Sequence, residues 1–187
     1  MRRQHYGLAI ALVFLGLTIT AVRGDDYSVD AVHSSATFKI GHLGISWIHG
    51  RFNDLSGNFS VADKGGSFNF TVKADSIDTG VAKRDAHLKS PDFFNVKQFP
   101  TITFKSTSVK AGERGLAVTG DLTMHGVTKS ISFTLKGGKT AQFPPGVNRT
   151  GYTTDLTLKR SDFGMDRLVG PVGDEVLISF SFEGVKK

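Results

Sequence analysis

Phe68-Asn69-Phe70-Thr71-Val72-Lys73-Ala74 alternates apolar with polar side chains, and two later stretches repeat the pattern: Ile131-Ser132-Phe133-Thr134-Leu135 and Val176-Leu177-Ile178-Ser179-Phe180-Ser181-Phe182. A period of two sends successive side chains to opposite faces of a sheet, so each stretch reads as a strand with one apolar and one solvated face. Of the 15 phenylalanines, all but Phe14 lie beyond the N-terminal leader described below. The chain must therefore enclose a large aromatic interior, and whether that interior is a filled core or a cavity is the functional question.

Outward from these stretches, strand-like segments fall at Tyr27–Val29, Ala36–Ile40, Ile48–Val61, Ser67–Ser76, Thr101–Val109, Leu116–Met124, Lys129–Lys136, Tyr152–Lys159 and Glu175–Glu183. Turn chemistry separates them at Asp63-Lys64-Gly65-Gly66, Ala111-Gly112-Glu113-Arg114-Gly115 and His125-Gly126, and in a longer stretch from Lys136 to Gly151. Many short strands at this spacing predict an all-β antiparallel sandwich or barrel, and a barrel removes the exposed edges. The segment 80–98 breaks the rhythm. Val81–Leu88 has helix-compatible composition with Asp78 or Thr79 as its cap, and Ser90-Pro91-Asp92 opens a second short turn. The adjacent Phe93 and Phe94 cannot both point one way on a strand, so they are expected to plug a barrel mouth.

The N-terminus carries Arg2 and Arg3 followed by an uncharged, mostly apolar run from Gly7 to Val22. That run is shorter than the roughly 20 residues of a membrane-spanning helix. It reads as a secretory signal peptide over residues 1–24, cleaved after Gly24, with 25–187 as one domain. Export usually brings disulfides, yet the chain has no Cys, so stability must come from burial and sheet pairing, and thiol redox chemistry is excluded. The formal charge of +6 falls when Arg2, Arg3 and Arg23 leave with the leader. The remaining Lys residues are scattered over strand faces, a pattern that argues against nucleic acid as a partner and leaves only weak, transient contact with anionic membranes.

Alternation assigns an inward set. It comprises Phe38, Ile40, Ile48, Phe52 and Phe59 in the first part of the chain; Phe68, Phe70 and Val72 in the next strand; Ile102, Phe104, Leu122 and Met124 in the middle; and Phe133, Ile178, Phe180 and Phe182 in the last part. Parity slips between Phe52 and Phe59, which predicts a bulge near Leu55–Gly57. Trp47, the single tryptophan, lies beside His42 and Leu43 in a turn, where an amphipathic indole suits the mouth of a barrel.

Several blocks then resemble one family. They are His33-Ser34-Ser35-Ala36-Thr37-Phe38-Lys39-Ile40-Gly41-His42-Leu43-Gly44-Ile45-Ser46-Trp47-Ile48-His49-Gly50-Arg51-Phe52, the run Arg84-Asp85-Ala86-His87-Leu88-Lys89-Ser90-Pro91-Asp92-Phe93-Phe94, Phe99-Pro100-Thr101-Ile102-Thr103-Phe104, Gly120-Asp121-Leu122-Thr123-Met124-His125-Gly126-Val127-Thr128-Lys129 and Arg160-Ser161-Asp162-Phe163-Gly164-Met165. In this order they resemble the YceI-like family across essentially the whole of residues 25–187. The resemblance implies an eight-stranded, lipocalin-like antiparallel barrel with one or two short helices at its mouth. It also implies export to the periplasm and a long isoprenoid or similar fatty-chain lipid in the lumen as the ligand, with no cofactor beyond it, and a homodimer. It does not specify the ligand's head group.

The polar residues compete with this reading. His42, His49, His87 and His125 match no compact metal motif, so the expectation is no metal, with His42 and His87 as contacts near a ligand head or as partners of buried backbone groups. Arg84, Asp85, Asp92 and Asp162 read as structural caps and pairs. An enzyme acting on the lipid would need a nucleophile and base, and no Gly-x-Ser-x-Gly elbow is present. The sequence therefore points to binding without catalysis. A filled barrel acting through its outer surface, as a stress-response or interaction protein, is the alternative.

Overall fold

The structure, a computed structural model, describes residues 24–63 and 65–187. The leader, and with it the signal-peptide expectation, lies outside the described residues.

Ten strand segments form one antiparallel sheet: β1 (Asp25–His42), β2 (Ser46–Phe52), β3 (Leu55–Ala62), β4 (Gly65–Lys73), β5 (Ile77–Asp78), β6 (Thr101–Gly112), β7 (Gly115–Met124), β8 (Val127–Gln142), β9 (Asn148–Lys159) and β10 (Val172–Lys186). Eight of them close a ring, β1-β3-β4-β6-β7-β8-β9-β10, because β10 pairs back onto β1 from Tyr27↔Lys186 to His42↔Val172. β2 and β5 extend the sheet from the upper half of β1. The fold is thus the expected eight-stranded barrel, with helix α1 (Ala82–Leu88) and two single-turn 3₁₀ helices at Ala74–Ser76 and Arg160–Phe163.

β1 organises the mouth. Its lower part, Asp25–Ser28, pairs with β3, and its upper part, Ala36–His42, pairs with β2 along the same edge. The expected single strand Ile48–Val61 is therefore broken at Asn53-Asp54, where the Asn53 N–H donates to the Ser76 carbonyl (3.1 Å) and the Asp54 N–H to the Ser76 hydroxyl (3.1 Å). This corner, rather than a bulge at Leu55–Gly57, lets Phe52 and Phe59 both face inward. Conversely, the gap expected between Val29 and Ala36 is a register shift inside one continuous strand. Asp30 holds that shift together by accepting from the Val32 N–H, the His33 ring and the Arg149 guanidinium.

Two further expectations change. Most of Lys136–Gly151 is not loop: β8 and β9 run on as a hairpin, and Gly137-Gly138, at φ of 124° and 83°, form a bulge between them. Glycine is required there because an added Cβ at Gly138 would press on the Tyr152 ring at 3.0 Å. The α1 cap is Val81, with no side-chain cap; Thr79 instead donates both its N–H (2.9 Å) and its hydroxyl (2.5 Å) to the Asp85 carboxylate, and Asp78 accepts from the Gly80 N–H.

The closed end of the barrel is an aromatic plug. Tyr27 stacks on Phe59 at 5.0 Å, Phe59 on Phe68 at 5.5 Å, and Tyr152 and Phe182 meet both phenylalanines edge-on. Such pairs add to the transfer energy of the rings. Glycines make room for them: Gly184 lies under the Phe59 ring and Gly120 under Phe104.

Candidate functional site

Above the plug the lumen opens into a cavity of about 410 Å³. Its floor is Phe70, Phe104 and Phe180, with the Phe70 and Phe180 rings 4.9 Å apart and nearly perpendicular. The walls come from alternate positions of the strands other than β3 and β5: Phe38 and Ile40 of β1, Ile48 and Phe52 of β2, Val72 of β4, Ile102 of β6, Leu122 and Met124 of β7, Phe133 of β8, Leu156 and Leu158 of β9 and Ile178 of β10. The roof is the segment after β5, with Leu88, Phe93 and Phe94; Phe94 meets Phe52 edge-to-face at 5.7 Å, and Phe52 leans on Phe38 at 5.8 Å. The adjacent phenylalanines at 93 and 94 thus close the top of the lumen.

Of the residues that the sequence places inward, at the mouth or near a ligand head, all but Leu43, Trp47, Phe59, Phe68, His87 and Phe182 line this cavity. Phe68 does not: it is fully buried in the plug below, because alternation places it inward but says nothing of depth along the barrel axis. Leu43 and Trp47 are about half exposed at the tip of the β1–β2 hairpin, outside the lumen. There the Lys39 ammonium sits 5.0 Å from the indole. His87 does not line the cavity: its ring meets the lining residue Phe93 edge-to-face at 5.0 Å and pairs at 2.8 Å with Asp92, whose carboxyl is held below its ordinary pKa mainly by that hydrogen bond.

The polar groups of the wall are few: His42, Arg84, Arg160 and the hydroxyls of Thr37, Thr103 and Thr154. No Asp or Glu lines it. Arg84, read from sequence as structural, has its Nε donating to the Thr79 hydroxyl (2.7 Å) and its Nη2 to the Thr79 carbonyl (2.8 Å), so the Asp85–Thr79 pair fixes a guanidinium at the lumen. Arg160 is buried and makes no carboxylate pair. Its Nε donates to the Gly173 carbonyl (2.9 Å), Nη1 to those of Met165 (2.7 Å) and Arg167 (2.8 Å), and Nη2 to that of Val172 (3.2 Å). Burial lowers its pKa, against the opposing charges of Asp174 and Asp166. Sequence reasoning passed over Arg160, although Tyr152, Thr154, Leu156, Leu158 and Arg160 share one parity on β9 and its extension. Ile77, Leu88, Met165 and Leu168 were also missed, because they lie in short or irregular segments where a period of two has no purchase, and Val172 because β10 begins three residues before the strand expected at Glu175.

The lining offers no carboxylate and no hydroxyl hydrogen-bonded to an imidazole. His125, outside the cavity, has Nδ1 3.0 Å from the Phe163 carbonyl. Among the described residues no group of three or more His, Asp or Glu is placed to hold a metal. A larger depression of about 990 Å³ crosses the outer face between β2 and β9, but its walls carry Lys39, His49, Arg51, Asp78 and Asp155, so it is a wet groove.

The family model of the YceI-like domain matches residues 27–184, all but the outermost two residues at each end of the closed barrel. The chain belongs to the YceI-like family. It is 37% identical over 193 residues to protein YceI of Escherichia coli, with 100% of both chains covered. It is 40% identical over 184 residues to a UPF0312 protein of Pseudomonas aeruginosa, with 96% of each chain covered. Among solved structures, the YCEI protein of Campylobacter jejuni superposes with a TM-score of 0.70 at 26% identity, over 99% of both chains. BcnA of Burkholderia cenocepacia gives 0.75 at 23% identity (83% of this chain, 98% of that one), which speaks for the fold alone. So does a polyisoprenoid binding domain from Saccharophagus degradans, with 0.67 at 19% (86% and 98%).

Proposed function

We propose that this YceI-like chain binds the hydrocarbon tail of an amphiphilic lipid, an isoprenoid quinone-like or polyprenyl chain, inside the barrel, and carries or stores it in the periplasm without catalysing its conversion. The observation that carries this reading is the roofed cavity of about 410 Å³ with aromatic and aliphatic walls and no carboxylate. A solved relative of the same fold is a polyisoprenoid binding domain, which agrees with it. Burying about ten methylene equivalents at roughly 0.8 kcal/mol each gives a gross gain of about 8 kcal/mol, near micromolar before ordering costs. A longer prenyl chain gains more with no polar contact at all. The head group then lies toward His42 and Arg84, the polar positions of the wall nearest the roof and hairpin.

A filled barrel acting through its surface needs the lumen occupied by its own side chains, and the aromatic plug takes up only the closed end. An enzyme needs a nucleophile with a base, and the cavity wall does not pair them. The test is titration of the purified protein with a fluorescent prenyl probe and displacement by unlabelled prenyl alcohols of increasing length. Saturable binding that tightens with chain length supports the reading, and binding that ignores chain length overturns it.

A further inference from the structure

We infer that the rim formed by the β1–β2 hairpin and the 168–172 loop is a docking surface for a phospholipid bilayer, through which the lumen exchanges its ligand. This rests on the lipid-binding reading above. The two segments are joined: the Leu43 N–H donates to the Pro171 carbonyl at 2.7 Å, and His42 pairs with Val172. Together they leave Leu43, Ile45, Trp47, Leu168 and Val169 between 45% and 82% exposed on one edge of the molecule. A contiguous apolar edge of this kind marks an interaction site rather than ordinary surface.

Two of these side chains are held out at a conformational cost. Leu43 and Leu168 have φ of 55° and 59°, the left-handed region in which a bulky residue is an outlier and where glycine or asparagine would serve a turn better. Strain at such positions is retained where a function uses it, and here each strained residue presents an apolar side chain to solvent. Leu168 also lines the cavity, so the exposed edge is continuous with the lumen. The indole at the edge, with the Lys39 ammonium 5.0 Å from its ring, is the side-chain pairing that suits a bilayer interface, the ring at headgroup level and the cation toward anionic phosphates. A tail insoluble in water must come from a membrane, and this edge lets it pass from one apolar phase to another.

Trp47 is the only tryptophan, so its emission reports the rim directly. The purified protein is mixed with vesicles of phosphatidylcholine, with and without 30 mol% phosphatidylglycerol (about a third anionic lipid). The expected result is a blue shift of the emission, quenching by brominated acyl chains, and tighter partition with the anionic lipid. Ile45→Asp and Val169→Asp, both exposed and away from the cavity wall, are expected to weaken partition at least tenfold while leaving binding of a prenyl probe delivered in solution unchanged. No shift or quenching with either vesicle overturns the proposal. So does a blue shift that tracks protein concentration without vesicles, accompanied by dimer in sedimentation, because the occupant of the rim is then a second copy of the chain. Loss of solution probe binding in the unsubstituted protein would overturn the lipid-binding reading instead.

Discussion

Arg160→Met removes a buried guanidinium while keeping an unbranched side chain of similar length. Four carbonyls, those of Met165, Arg167, Val172 and Gly173, lose their donor at once. A buried acceptor left without a partner costs about 1–3 kcal/mol, but only the bond to Met165 is fully buried, and solvent reaches the other three. The total is therefore at most about 3–5 kcal/mol, because the apolar replacement also relieves the burial cost of a guanidinium that has no carboxylate partner. For a domain of this size with a urea slope of about 2 kcal/mol per M, the unfolding midpoint is expected to fall by roughly 1–2 M once that relief is subtracted. Arg160→Lys, with a single ammonium in place of the planar fork, should fall between. The assay is equilibrium urea unfolding followed by far-UV circular dichroism. A shift below about 0.5 M for Arg160→Met would refute the claim that this residue ties the cavity-lining loop to β10.

Acid sensitivity should centre on Asp30, whose carboxyl is held far below its ordinary pKa chiefly by the Arg149 guanidinium and next by His33. A depressed folded-state pKa means that its stabilisation is complete above the unfolded value near 3.9 and is lost as pH falls below it. Arg149→Met should raise the Asp30 pKa measured by NMR and move the acid transition to higher pH; an unchanged Asp30 titration would count against the assignment. Ile102→Trp should fill the lumen and lower prenyl-probe affinity at least tenfold with little change in melting temperature, whereas wild-type affinity would mean that the tail does not enter there. Gly120→Ala should cost about 1–3 kcal/mol in thermal unfolding, because the new methyl would sit 2.5 Å from both the Phe104 ring and the Lys105 carbonyl; a neutral outcome would show that the Phe104 ring and the β6 backbone at Lys105 both give way.

Alternation made the barrel legible. Phe68-Asn69-Phe70 and Ile178-Ser179-Phe180 each place their phenylalanines inward in the structure, and the same rule points Arg160 inward by its parity with Leu158. Parity carries no depth, which is why Phe68 and Phe70, two residues apart, fall on opposite sides of the boundary between plug and cavity. It also fails wherever the chain turns a corner. Phe52 and Phe59 share a face only because β2 and β3 divide the edge of β1 between them, a tertiary arrangement invisible to a local pattern. Gly137-Gly138 looked like a loop because glycine pairs usually mark one, whereas here they admit the Tyr152 ring beneath a bulge. Trp47 was legible as a residue of the mouth but not as one on its outer side, since an amphipathic indole suits either.

The central claim is tested most directly by native mass spectrometry of the protein purified from the cells that make it, followed by denaturing extraction and analysis of the released lipid. The account predicts a stoichiometric adduct that dissociates on denaturation and yields an isoprenoid or fatty-chain compound. A ligand-free mass that persists after incubation with prenyl lipids would contradict it.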